Sequence, residues 1–215
     1  MTGVVLAAFV LSTILLGDFL AVNRPLGEDI LVVEGGMPKW VCAQVPSALR
    51  SGHYRRLVVL GHPAGASDMN SWNDVMGTKL ESLGYDTSTM VKVEVPFQST
   101  FRSYIISVCA PPFLAVTFRF QLTRRTYASA LAFSEWLRSS RIAAHSVDVF
   151  TGGVHARKSW ILYRHAIGGK CRVGIIAAPI AFNSRYWLLS REGIYQVPRN
   201  LVGYLYAKFL ILFDG

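Results

Sequence analysis

The feature that most constrains this chain is a recurring unit. A short, unbroken apolar run ends in glycine or a turn, and a segment with helical periodicity follows. The runs are Asp29-Ile-Leu-Val-Val-Glu34-Gly35-Gly36, Arg56-Leu-Val-Val-Leu60-Gly61, Met90–Val95, Ser146-Val-Asp-Val-Phe150-Thr151 before Gly152-Gly153, and Arg172–Ala178. Strands with one wet face alternate apolar and polar residues, whereas strands covered on both faces are apolar throughout. Helical segments are read at Trp40–Arg50, Ser71–Leu83, Arg125–Leu137, His155–Ile167 and Glu192–Phe213, the last bent or interrupted by Pro198. Ser71–Leu83 carries Trp72, Val75, Met76, Leu80 and Leu83 on one stripe, with Gly84 as its stop. The alternation predicts an α/β fold: a Rossmann-like open sandwich of about five parallel strands with helices on both faces.

Composition supports one domain with a core. Of 215 residues 52% are hydrophobic and 16% charged, which excludes intrinsic disorder. Three cysteines without a CxxC pair give neither a disulfide framework nor a structural zinc site. Charge is uneven. Residues 1–97 hold 7 Lys/Arg against 9 Asp/Glu, while residues 98–215 hold 15 against 4. The basic half favours an anionic partner, or serves solubility.

Residues 3–22 are almost free of charge, Asp18 excepted, and about 20 apolar residues suffice to cross a bilayer as a helix. No basic n-region and no clean cleavage motif accompany them. Residues 1–23 are therefore expected to be an uncleaved membrane anchor and residues 24–215 the α/β body. The competing reading is a buried first helix, which Asp18 keeps open.

Neither a GxGxxG fingerprint, a GxxxxGK[ST] loop nor a GxSxG elbow is present. The best local candidate is Thr151-Gly152-Gly153-Val154-His155, a strand end leading into a helix. Glycines there let backbone N–H groups approach an anion, and the helix adds the positive end of its dipole. His155, Arg157 and Lys158 add titrating and cationic groups; His53, His145 and His165 read as structural.

Several segments occur together in order: Ile30-Leu-Val-Val-Glu-Gly-Gly, Arg56-Leu-Val-Val-Leu-Gly, Arg125-Thr126-Tyr127-Ala-Ser-Ala130 and Thr151-Gly-Gly-Val-His155-Ala-Arg-Lys158-Ser159. In this the chain resembles the SanA/ElyC/YdcF family, over about residues 20–210, and its subgroup with one N-terminal membrane helix. The resemblance implies a Rossmann-like fold and a link to envelope integrity and peptidoglycan-precursor metabolism; one soluble member is associated with S-adenosylmethionine. It carries the family's glycine turns onto Gly35, Gly36 and Gly61, with His62 where another glycine is common. The helix start falls on Arg125 and Thr126, and the Thr/His turn on Thr151 and His155, with Lys158 where arginine is usual. Lysine keeps the charge and loses the planar fork. Residues 97–123, which hold no acid and include Pro111-Pro112, stand where the subgroup has a short link and read as an insertion.

Together these readings predict a membrane-anchored domain in cell-envelope maintenance, single-pass in a bacterial-type plasma membrane. An anionic small molecule or lipid-linked precursor is the expected partner, and nucleic acid is not. His155 is the expected catalytic group. Gly35, Gly36, Gly61, Arg125, Thr126, Thr151, Gly152 and Lys158 are the expected ligand-binding residues. No metal is expected, and neither a cofactor nor a reaction is assigned. Two alternatives remain: a non-catalytic nucleotide- or S-adenosylmethionine-binding module, and a structural envelope protein with a vestigial pocket.

Overall fold

The computed structural model describes residues 13, 15–61, 77–78, 80–82, 88, 90–95 and 114–213, without the side chains of 114–124. Five strands form one parallel sheet: β1 (Glu28–Val33), β2 (His53–Gly61), β3 (Met90–Glu94), β4 (Ser146–Gly152) and β5 (Arg172–Ala178), in the order β3-β2-β1-β4-β5. Successive residues of a strand face opposite sides, and β1 divides accordingly. Ile30 and Val32 join Val58, Leu60, Val147, Val149, Phe133 and Tyr163 in one core. Leu31 and Val33 join Val41, Val45, Leu57, Val59 and Phe150 in the other. The predicted Rossmann-like sandwich is what the chain forms.

Helices α1 (Lys39–Cys42) and α2 (Val45–Arg50) cover the second core. They take the place of the single helix expected over Trp40–Arg50. Pro46 lies in the first turn of α2, where its missing N–H costs no helical bond. The first core is covered by α3 (Leu114–Ser139) and α4 (Ala156–Ile167), and α5 (Arg191–Phe213) packs on both of these helices. Helix α5 passes through Pro198 as one element. Helix α3 starts eleven residues before the expected Arg125, so residues 114–123 of the supposed insertion are helical. Residues 97–113 lie outside the described residues, as do His62 and most of Ser71–Leu83, of which residues 77–78 and 80–82 are helical.

The expected N-terminal membrane helix is overturned. Among the described residues no helix is long and apolar enough to cross a membrane. Residues 15–20 are helical, but their last turn belongs to the body. Leu20 is fully buried in a small core with Val154, Phe182, Trp187 and Val197. Asp18 accepts hydrogen bonds from Ser184 Oγ at 2.9 Å and Arg185 Nε at 3.2 Å. Trp187 Nε1 donates to the Thr13 carbonyl at 2.7 Å. Beyond the turn, Arg24 forms an antiparallel bridge with Ile175 of β5. Leu20 is thus a core residue, and Asp18 ties this turn to the loop before α5. The single-pass location and the membrane as partner fall with the anchor.

Candidate functional site

In a sheet ordered 3-2-1-4-5 the chain leaves β1 toward one edge and β4 toward the other, opening a crevice beyond their carboxyl ends. Glu34 follows β1 directly, and its N–H extends the ladder to the Phe150 carbonyl at 3.2 Å. Beside it β4 ends in Thr151 and Gly152, and a 3-10 turn (Gly153–His155) runs without a break into α4. The crevice is a cavity of about 420 Å³. All nine residues singled out in the sequence line it: Gly35, Gly36, Gly61, Arg125, Thr126, Thr151, Gly152, His155 and Lys158.

The two glycines after β1 act differently from the open anion cradle expected of them. A Cβ on Gly35 would stand 2.5 Å from the Leu60 carbonyl oxygen, so this glycine lets the turn pass against the end of β2. Gly36 has φ +77°, a left-handed conformation that side chains disfavour. Both shape the turn that follows Glu34.

Glu34 is the centre of a buried polar cluster that the sequence reading had not placed in the site. It is 5% exposed. Its Oε2 accepts from Ser159 Oγ at 2.9 Å and lies 3.9 Å from His155 Nε2. Its Oε1 has no hydrogen-bond partner. Burial raises its carboxyl above the usual range, against the nearby Thr151 and Ser159 hydroxyls and the charge of Lys158. Tyr163, fully buried nearby, also leaves its hydroxyl without a partner, and burial with the charge of Glu34 holds it well above its ordinary value.

The orientation of His155 follows from its partners. Asn200 Nδ2 donates to the Gln196 carbonyl at 2.9 Å, which turns Asn200 Oδ1 toward His155 Nδ1 at 3.0 Å. An amide oxygen only accepts, so Nδ1 carries the proton and Nε2 presents a lone pair. That lone pair faces Thr126 Oγ1 at 3.4 Å. Desolvation, then the charge of Lys158, hold His155 well below its ordinary value, and the ring is neutral at pH 7. A neutral imidazole with a fixed tautomer is a hydrogen-bond acceptor and a proton acceptor.

Lys158, one helical turn beyond His155, is 3% exposed yet lines the cavity. Its ammonium makes no hydrogen bond within the described structure. Desolvation lowers it to about 8, with Glu34 opposing the fall and Arg199 adding to it. Arg157 goes elsewhere: it donates to the Phe19 carbonyl and lies over the Phe19 ring, away from the crevice.

The far wall was not anticipated. Helix α5 contributes Tyr195, Gln196, Arg199, Asn200 and Gly203, and α1 brings Trp40. Trp40 and Tyr195 are 48% and 58% exposed, and Arg199 lies 5.6 Å from the Tyr195 ring centroid. The α5 residues recur at three- and four-residue spacing, a polar stripe on an apolar helix, and that stripe is the signal in the sequence that points to them. Among the described residues no group of three His, Cys, Asp or Glu is placed to hold a metal.

No family model, no curated protein and no solved structure matches this chain. The envelope role, with its lipid-linked or other anionic precursor as partner, was drawn from a family resemblance that no family model supports, and from an anchor that no helix among the described residues forms. It is withdrawn. What stands is the Rossmann-like α/β fold, with which the alternative of a nucleotide- or S-adenosylmethionine-binding module agrees better.

Proposed function

We propose that the domain binds a nucleotide in the crevice between β1 and β4. The observation that carries this reading is Lys158: a lysine 3% exposed, on the wall of a cavity it shares with Arg125 and Arg199, whose ammonium has no hydrogen-bond acceptor among the described residues. A phosphate group seated in the cavity supplies such acceptors. Arg125 and Arg199 offer planar forks to the remaining phosphate oxygens. Trp40 and Tyr195 present apolar surface against which a base stacks. A cavity of about 420 Å³ lies in the range of small-ligand sites. Among the described lining residues, three basic side chains against one carboxylate, Glu34, favour a phosphate over the sulfonium cation of S-adenosylmethionine.

Titration calorimetry with AMP, ATP and S-adenosylmethionine tests this. AMP or ATP is expected to bind, more weakly as salt rises, with affinity lost in Lys158→Met and reduced in Arg199→Ala. Binding of S-adenosylmethionine alone, or nucleotide binding indifferent to both substitutions, overturns it.

A further inference from the structure

Lys158 is 3% exposed, more deeply set than a phosphate contact alone requires. It projects from α4 into the floor of the crevice, three residues after His155 and therefore on the same helical face. The charged and titrating groups that face it among the described residues are these. Glu34 approaches from the end of β1, His155 from the start of its own helix, Arg199 from α5, and Arg125 lines the same cavity from α3. Tyr163, on the next turn of α4, adds a hydroxyl without a partner. Removal from water and a neighbouring cation are the two conditions that turn a lysine into an amine nucleophile.

We propose that Lys158 is a reactive amine, which forms an imine with the carbonyl carbon of an aldehyde or ketone seated in the crevice. The proposal rests on the crevice being a binding site and adds chemistry to it. The neutral Nζ donates its lone pair to the carbonyl carbon. A C–N bond forms, and the carbonyl π pair moves to oxygen. A proton passes from nitrogen to that oxygen, giving a carbinolamine. A further proton on the hydroxyl lets water leave as the nitrogen lone pair makes C=N, and loss of the nitrogen proton restores the balance. Amine and carbonyl become imine and water, with no change in oxidation state. The Nε2 lone pair of His155 takes and returns these protons. Glu34, 3.9 Å from Nε2, stabilises the imidazolium while it lasts. Such a site takes a compound carrying both a carbonyl and a phosphate, the latter for Arg125 and Arg199.

The chain has six lysines, so one molecule supplies its own controls. The full chain is treated with pyridoxal 5′-phosphate, a phosphorylated aldehyde, at pH 7.5. Borohydride fixes the imines, and peptide mapping reads each lysine. The exposed Lys170 and Lys208 are the references. At this pH the free-amine fraction of a group titrating near 8 exceeds that of an ordinary lysine near 10.4 by about two powers of ten. Lys158 is expected to label at least about tenfold faster, with a midpoint near pH 8, and His155→Gln is expected to slow it. Labelling no faster than at Lys170, or a midpoint near pH 10, overturns the proposal. AMP binding measured alongside separates the two readings. AMP binding with an inert Lys158 sinks the imine and leaves the nucleotide site standing. Fast labelling of Lys158 in a chain indifferent to AMP sustains the imine and removes the nucleotide.

Discussion

Two carboxylates are buried in this sheet, one near each end, and the structure treats them differently. Asp148, near the start of β4, is wholly buried. It accepts the Leu26 N–H on both oxygens at 2.9 Å, and its Oδ2 also accepts the Gly27 N–H at 2.7 Å and the Tyr54 hydroxyl at 2.7 Å. The neighbouring strand makes room for it: a Cβ on Gly174 would stand 1.9 Å from Asp148 Oδ1. Glu34, at the carboxyl end of β1, has one hydroxyl on one oxygen, nothing on the other, and a cluster of titrating neighbours. Asp148 ties the incoming chain to the sheet. A buried polar group with a full set of donors is a structural joint. One left short of partners and beside a cavity is where chemistry is to be sought.

This contrast can be broken at its strongest point first. Asp148→Ala leaves two backbone N–H groups and the Tyr54 hydroxyl without acceptors, and hydrogen bonds to charged groups contribute about 1.5–3 kcal/mol each. A loss of about 3–5 kcal/mol is expected in urea denaturation; a loss under about 1 kcal/mol would place Asp148 in the same class as Glu34. Gly174→Ala is expected to cost about 1–3 kcal/mol by pressing on the same carboxylate, and to leave the crevice untouched, so that ligand binding measured well below the melting temperature does not change.

Glu34→Gln sharpens the comparison from the other side. Replacing a buried carboxylate that has one hydrogen bond by an isosteric amide is expected to change stability by less than about 1 kcal/mol. Its signature lies elsewhere. The charge of Glu34 raises the titration of Lys158, so the pH midpoint of aldehyde labelling at Lys158 should move below 8. An unmoved midpoint would disconnect the two groups.

The smallest effect is a pH dependence. His155 titrates below its ordinary value in the fold, while the unfolded chain takes up the same proton near pH 6.5. Its contribution to stability is therefore present above about pH 6.5 and is lost as pH falls toward the folded value. Glu34 acts in the opposite sense. Its folded carboxyl binds a proton before the unfolded one does, so its contribution is present below about pH 4.5 and is lost as pH rises. The difference between wild type and His155→Gln, measured from pH 7 to 5, isolates the histidine. Stability of the variant should fall less over that range, and parallel curves would refute the neutral assignment.

The sheet was legible in the sequence because a strand covered on both faces leaves a mainly apolar run, and five such runs stand out even with Asp148 inside β4 and Lys92 inside the edge strand β3. The helix boundaries were less so. Residues 114–123 are rich in Val116, Thr117, Phe118 and Phe120, aromatic and β-branched types with weak helix propensity, yet α3 runs back through them. The N-terminal stretch was misread because an apolar segment has the same composition whether lipid or a protein core covers it. Only Asp18 differed, and its partners Ser184 and Arg185 lie more than 160 residues away. At the crevice, the residues next to strand ends were found, since glycine turns mark them. Glu34 was passed over although it adjoins Gly35, because a lone carboxylate does not announce its neighbours. Arg199 and Asn200 have no local mark beyond their spacing, and nothing in the sequence fixes which helix closes the crevice.

That closing helix has a bearing on how the protein is made. The partner that fixes the His155 ring follows it by 45 residues, and Tyr195 and Arg199 emerge in the same late stretch. As the ribosome delivers the chain, all five strands and α4 are already outside before α5 appears, so a nascent chain can complete its sheet while its crevice still lacks a wall. The crevice is then walled only once α5 has been made, and a chain released before α5 would carry a formed sheet with Lys158 more open to water.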